Sequence, residues 1–170
     1  MTAMRGKDDR GPRRGEFMRE EKEFEQKILD LARVTRVTKG GKRMRFRATV
    51  VVGDRKGRVG FGVAKGNDVT FSVNKAARYA RKRMTTIPLV RETIPHAVRA
   101  KFGASVIMLK PAPQGSGIKA GGSVRTIMEL AGVPNVIGKI MNGKNKINTL
   151  KATMQALGTF TTRPRRPDAA

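Results

Sequence analysis

Cysteine is absent from the 170-residue chain, which excludes disulfide staples, thiolate metal sites and cysteine nucleophiles. Histidine occurs once, at His96, so no multi-histidine metal cage forms within one chain. No apolar run approaches the roughly 20 residues that span a bilayer, and the first residues lack the apolar segment of a secretion signal. A soluble, cytoplasmic protein is expected. Acids are scarce too: 13 Asp and Glu stand against 37 Lys and Arg, a net charge of +24. A compact chain so charged repels itself, and a polyanion relieves that repulsion. Nucleic acid is the first candidate partner, an anionic membrane surface the second.

Hydrophobic residues make up 38% of the chain and 19 glycines add to them, enough for one ordinary domain or two small ones. The charge is unevenly spread. Residues 1–25 carry 7 basic and 7 acidic side chains, residues 26–90 carry 17 against 3, and residues 91–160 carry 10 against 2. The excess thus belongs to the patterned middle. Residues 1–23 mix both signs with Gly and Pro, which predicts a disordered arm. Residues 161–170 place Pro164 and Pro167 among arginines, which predicts a basic tail.

Residues 24–90 read as a compact α+β domain of three antiparallel strands and a helix. In residues 43–52, Met44, Phe46, Ala48, Val50 and Val52 alternate with Arg43, Arg45, Arg47, Thr49 and Val51. That is a half-buried strand with arginines along much of its other face. Residues 28–38 supply a partner, and Lys39, Gly40, Gly41 and Lys42 between them read as a hairpin turn. A second turn over 53–57 leads to a strand over 58–64, with Val59, Phe61 and Val63 on one face and Gly60 and Gly62 on the other. Val73, Ala76, Ala77, Ala80 and Met84 then share one helical stripe, with Asn67 or Asp68 as the cap. Lys75, Arg78, Arg81, Lys82 and Arg83 fill its other faces, towards RNA or water.

Residues 91–160 form a second block. Residues 105–109 read as a buried strand stopped by Pro111 and Pro113. Glycine-rich residues 115–122 lead to a helix with Ser123 as N-cap, a stripe of Val124, Ile127, Met128 and Ala131, and Gly132 and Pro134 at its end. Residues 135–141 read as a strand and 148–157 as a last helix capped by Asn148. The order is β–α–β–α.

Residues 60–65 begin like a dinucleotide fingerprint, but Lys65 takes the third glycine's place and the glycines lie inside a strand. Such glycines instead admit another backbone or an RNA sugar-phosphate edge. Residues 115–122 suit an anion at a helix start, yet no Gly-Lys-Ser/Thr follows. An RNA phosphate, a partner's carboxylate and a plain tight connection stay open there. His96 has no evident partner, and Glu92 and Glu129 stand far apart, so no acid–base constellation is readable. No enzyme activity, cofactor, metal or small-molecule substrate is expected. Aromatics are only 5%, with Phe46 and Phe61 at apolar-face positions, which favours shape recognition of folded RNA over base stacking.

The succession VTRVTKGG from Val34 to Gly41, VVGD from Val51 to Asp54, and GRVGFG from Gly57 to Gly62 with Lys65 resembles bacterial small-subunit ribosomal protein number five. So do Pro111-Ala112, GSGI from Gly115, Ala120-Gly121-Gly122 with Arg125, Ala131-Gly132-Val133, Asn135-Val136 and Asn148. The resemblance covers roughly residues 24–158. It implies an N-terminal domain like a double-stranded-RNA-binding domain and a C-terminal β–α–β–α domain with a left-handed crossover. It further implies binding to ribosomal RNA at the back of the small subunit, between head and body, and contact with ribosomal proteins four and eight. Residues 34–43 resemble the family's loop near the head RNA, and Gly117 and Arg125 match positions facing protein four that bear on decoding accuracy.

The expected RNA contacts are Lys39, Lys42, Arg43, Arg55, Lys56 and Arg58. Thr35, Arg36, Thr38, Gly40, Gly41, Arg45, Arg47, Lys65 and Lys119 join them. Gly115, Gly117 and Arg125 are the expected protein contacts. No membrane partner is expected. A stand-alone RNA chaperone or annealing factor is the alternative, needing the same basic surface without a fixed address.

Overall fold

The computed structural model describes residues 24–160. The arm expected over 1–23 and the tail expected over 161–170 lie outside the described residues. Strands β1 (Glu25–Thr38) and β2 (Gly41–Gly53) form a long antiparallel hairpin closed by Lys39 and Gly40. Gly41 takes φ +134°, and the Thr38 hydroxyl donates to its carbonyl at 3.1 Å. Strand β3 (Arg58–Gly66) pairs with residues 46–53 only. A short β4 (Thr85–Thr86) adds a fourth strand to the three expected, in the order β1-β2-β3-β4.

Helix α1 (Val69–Lys82) covers one face of this sheet with its small side, Ser72, Ala76, Ala77 and Ala80. Met84, expected on the stripe, falls beyond the helix, because Arg83 has already left helical geometry. Asp68 takes the cap position but its side chain makes no capping bond. Gly60 and Gly62 lie against the helix backbone: a Cβ on Gly62 would overlap the Ala76 carbonyl and sit 2.8 Å from the Ala80 nitrogen. Of the two neighbours those glycines admit, a backbone is the one in place.

The second sheet comprises β5 (Val98–Phe102), β6 (Ser105–Pro111), β7 (Ile118–Lys119) and β8 (Val136–Asn142), in the order β5-β6-β8-β7. Only β7 and β8 run parallel, linked through α2 (Gly122–Ala131); α3 (Lys146–Gly158) follows. β5 and β7 are additions to the expected order. Two caps differ as well. The first helix turn opens from Gly121, whose carbonyl accepts from the Arg125 nitrogen, so Ser123 lies inside the helix. The last helix starts at Asn145, whose side chain accepts from the Ile147 nitrogen at 3.0 Å, so Asn148 is internal.

The two sheets share a core. Ala48, Val50 and Val52 pack with the α1 alanines, whereas Val51 and Val59 on the opposite face join Ile127, Leu130, Val133, Leu150 and Leu157. β2 is therefore buried on both faces from Ala48 to Gly53 and exposed from Gly41 to Arg45, a correction to the half-buried strand expected. The turn after β2 also completes α2. The Arg55 and Gly57 nitrogens donate to the Leu130 and Ala131 carbonyls, both at 2.9 Å, and satisfy acceptors that a helix end leaves open. Gly132 ends α2 at φ +74°, where a Cβ would overlap the Arg55 carbonyl.

Candidate nucleic-acid interface

Past Phe46 the β1–β2 hairpin runs on without β3, so both of its faces meet solvent. The register sets Arg36 directly opposite Arg43, Val34 opposite Arg45, and Arg47 between Ala32 on β1 and Lys65 on β3. Strand alternation then gathers Arg36, Arg43, Arg45, Arg47 and Lys65 on one face, the side away from α1. Thr35, Lys42 and Arg33 belong to the other face, and Thr38, Lys39, Gly40 and Gly41 form the tip. Val34, Thr35, Arg36, Arg43, Arg45 and Lys65 line one shallow depression. Like charges directly opposite in a ladder destabilise it, so the hairpin carries a repulsion that an anion would convert to attraction.

The acids show which cations are already matched. Glu25 binds the Arg55 guanidinium at two points, one of them Nη2 to Oε1 at 3.0 Å. Asp54 accepts from Arg58 Nε at 2.6 Å and from the Lys56 and Arg58 nitrogens at 2.8 and 2.9 Å. Asp30 pairs with Lys146 at 2.8 Å and Arg47 at 3.4 Å, and Glu129 with Arg125 at 2.9 Å and Lys27 at 3.2 Å. Arg36, Lys39, Lys42, Arg43, Arg45, Lys56, Lys65 and Lys119 make no ion pair with a described residue.

These pairs shift the carboxyls. The hydrogen bond from Lys146 leads in holding Asp30 below the usual carboxylate range, with Arg47 adding to it against the effect of burial. Burial pushes Asp54 up, but the Arg58 side chain and the two backbone donors together outweigh it and hold it low. Arg125 leads in lowering Glu129, with Lys27 second among the favourable partners.

The expected RNA-facing residues therefore do not form one patch. The hairpin tip and the turn bearing Arg55, Lys56 and Arg58 sit at opposite ends of β2, about 40 Å apart at strand rise. Arg55 and Arg58 are engaged within the fold, and Arg58 also lies 5.6 Å from the Phe24 ring centroid. Lys119 is exposed on β7, beside β8.

Gly115 and Gly117 take φ +81° and +67°, and open space surrounds a Cβ at either. Two amides of the glycine-rich stretch are used internally: Ser116 donates to the Pro113 carbonyl and Gly117 to Asn135 Oδ1. For these two amides the tight connection is the alternative observed. Arg125 is exposed but tied to Glu129 on the next turn. His96 packs edge-on against Phe160, centroids 5.4 Å apart, a structural contact. Phe71 and Tyr79, which point outward from α1, are exposed rings that the sequence pattern of Phe46 and Phe61 did not bring to notice. The placement of Phe71 across the helix from Ala76 and Ala80 was the available signal for that ring, whereas Tyr79 lies on the helix flank.

Residues 24–88 match the family model described as ribosomal protein S5, N-terminal domain, and residues 100–165 match ribosomal protein S5, C-terminal domain. Over 138 residues the chain is 49% identical to the small ribosomal subunit protein uS5c of Spinacia oleracea. That alignment takes in 81% of this chain and 45% of the relative, so the chain spans less than half of that protein's length.

Proposed function

The chain belongs to the ribosomal protein S5 family, structural constituents of the ribosome rather than enzymes, and on that premise we propose that it binds small-subunit ribosomal RNA through the β1–β2 hairpin. The observation that carries this reading is the hairpin's set of exposed cations, Arg36, Lys39, Lys42, Arg43 and Arg45, which have no acidic partner among the described residues. Phosphates docking there displace condensed counterions, and the shared core fixes the spacing at which they are held. Residues 24–90 act as the RNA-facing domain and residues 91–160 as the domain that meets neighbouring proteins. At the back of the subunit, between head and body, the chain holds the two parts in register. Gly115, Gly117 and Arg125 face ribosomal protein four and bear on accuracy; ribosomal protein eight is a second neighbour, in a cytoplasmic ribosome.

The test is RNA affinity across a salt series. Replacing Lys39, Lys42 and Arg43 with Gln is expected to weaken binding and to reduce the salt slope by about 1 for every phosphate left unneutralised. A flat salt response of the intact chain discards the phosphate mechanism. Sedimentation of cell extract on a sucrose gradient separates the fixed address from a roaming chaperone: stoichiometric migration with small subunits is expected.

A further inference from the structure

Helix α1 turns Phe71, Lys75, Arg78 and Lys82 to the side opposite Ala76 and Ala80. Phe71 is 60% exposed and the neighbouring Tyr79 is 45% exposed. With Lys75, Arg78, Lys82 and a fourth cation, Arg81, they line one open depression whose lining holds no acid, and Lys75 Nζ lies 5.9 Å from the Phe71 ring centroid. None of Lys75, Arg78 and Lys82 pairs with an acid among the described residues. The fold makes no use of this face, because the sheet is met by the small side chains. Single exposed rings are ordinary, and protein interfaces favour aromatics with Arg but are depleted in Lys, of which this face carries two. Aromatic surface interleaved with Lys and Arg suits an unpaired nucleotide, whose base stacks while its phosphates pair.

We propose that the outer face of α1 is a second RNA contact, at which unpaired nucleotides stack on Phe71 and Tyr79 while Lys75, Arg78 and Lys82 hold the adjoining phosphates. Phe71 and Tyr79 are about 12 Å apart along the axis, room for a short stretch of single strand. This face is separate from Arg36, Arg43, Arg45 and Arg47 of the hairpin, which occupy the sheet side away from α1. The proposed contact rests on the reading of the chain as an RNA-binding protein and adds the kind of RNA recognised.

Tyr79 is the sole tyrosine and tryptophan is absent, so emission excited in the tyrosine band, corrected for absorption by the RNA, comes from this one ring, which also borders the depression beside Phe61, Arg83 and Lys151. Titrating the full chain with decaadenylate is expected to quench that emission, and a blunt RNA duplex is expected to quench it far less. Phe71→Ala should weaken the decaadenylate titration about fivefold or more. The triple change Lys75→Gln, Arg78→Gln, Lys82→Gln should weaken it and lower its salt slope, whereas the hairpin triple variant should leave the quench in place. Equal response to duplex and single strand overturns the stacking. Quenching by decaglutamate but not by decaadenylate overturns it in favour of an acidic protein partner. If duplex RNA still binds by filter retention in a hairpin-dependent way while Tyr79 stays silent, this second site alone is refuted. If no RNA binds at all, the broader reading falls with it.

Discussion

The Arg55 nitrogen donates to the Leu130 carbonyl at 2.9 Å, so a turn of the first sheet closes a helix of the second block. Gly132 makes the closure possible, since its positive φ and missing Cβ leave room for the Arg55 carbonyl. Gly132→Ala is expected to cost roughly 2–4 kcal/mol, combining a left-handed alanine with a backbone collision. Urea unfolding measures it. A loss under about 0.5 kcal/mol, the range of neutral surface changes, would mean that the turn gives way easily.

Two glycines should respond in opposite fashion to the same change. Gly62→Ala drives a methyl into the Ala76 carbonyl and is expected to destabilise by about 1–3 kcal/mol. Gly40→Ala meets nothing within 4 Å and is expected to stay within about 0.5 kcal/mol of the parent. Comparable losses in thermal melts of both variants would contradict the close approach of α1 to β3.

Acid should weaken the fold through three carboxyls. Asp30, Asp54 and Glu129 are all held below their ordinary values, so each contributes stability that is complete above the unfolded-state range. That contribution disappears as pH falls below about 4 and through the lower folded values. Asp54, with 4% of its side chain exposed, gives the sharpest case. Asp54→Asn is expected to lose about 1–3 kcal/mol at neutral pH and to lose less than the parent on acidification. Urea midpoints across a pH series would refute the assignment if the two curves ran parallel.

Arg36 and Arg43 oppose each other across the ladder, so replacing one should help the unbound chain and harm the complex. Arg36→Gln is expected to raise stability by a few tenths of a kcal/mol while weakening RNA binding and lowering the salt slope by about 1. A variant that loses stability and binding together would assign Arg36 to the fold instead.

Local periodicity made much of this architecture legible. The alternation of residues 43–52 and the alanine stripe of α1 need only a few neighbours to be recognised. Burial of Val51 does not follow in that way, because what covers it is α2, which begins some 70 positions further on. β5 does alternate, with Val98, Ala100 and Phe102 against Arg99 and Lys101, but five residues are too few for the pattern to stand out. Ser123 and Asn148 are good caps by chemistry; Gly121 and Asn145 hold the role because the chain leaves helical geometry there. In the candidate interface, the basic hairpin was visible at once. The matching of Arg55 to Glu25, 30 residues away, was not.

Gly60 and Gly62 bring the spine of α1 onto β3, so the helix adheres to its sheet almost without large side chains. Attachment and outward chemistry are thereby uncoupled. Folding thus places few demands on the solvent side of that helix, whose residues are left to serve a surface role at little expense to stability.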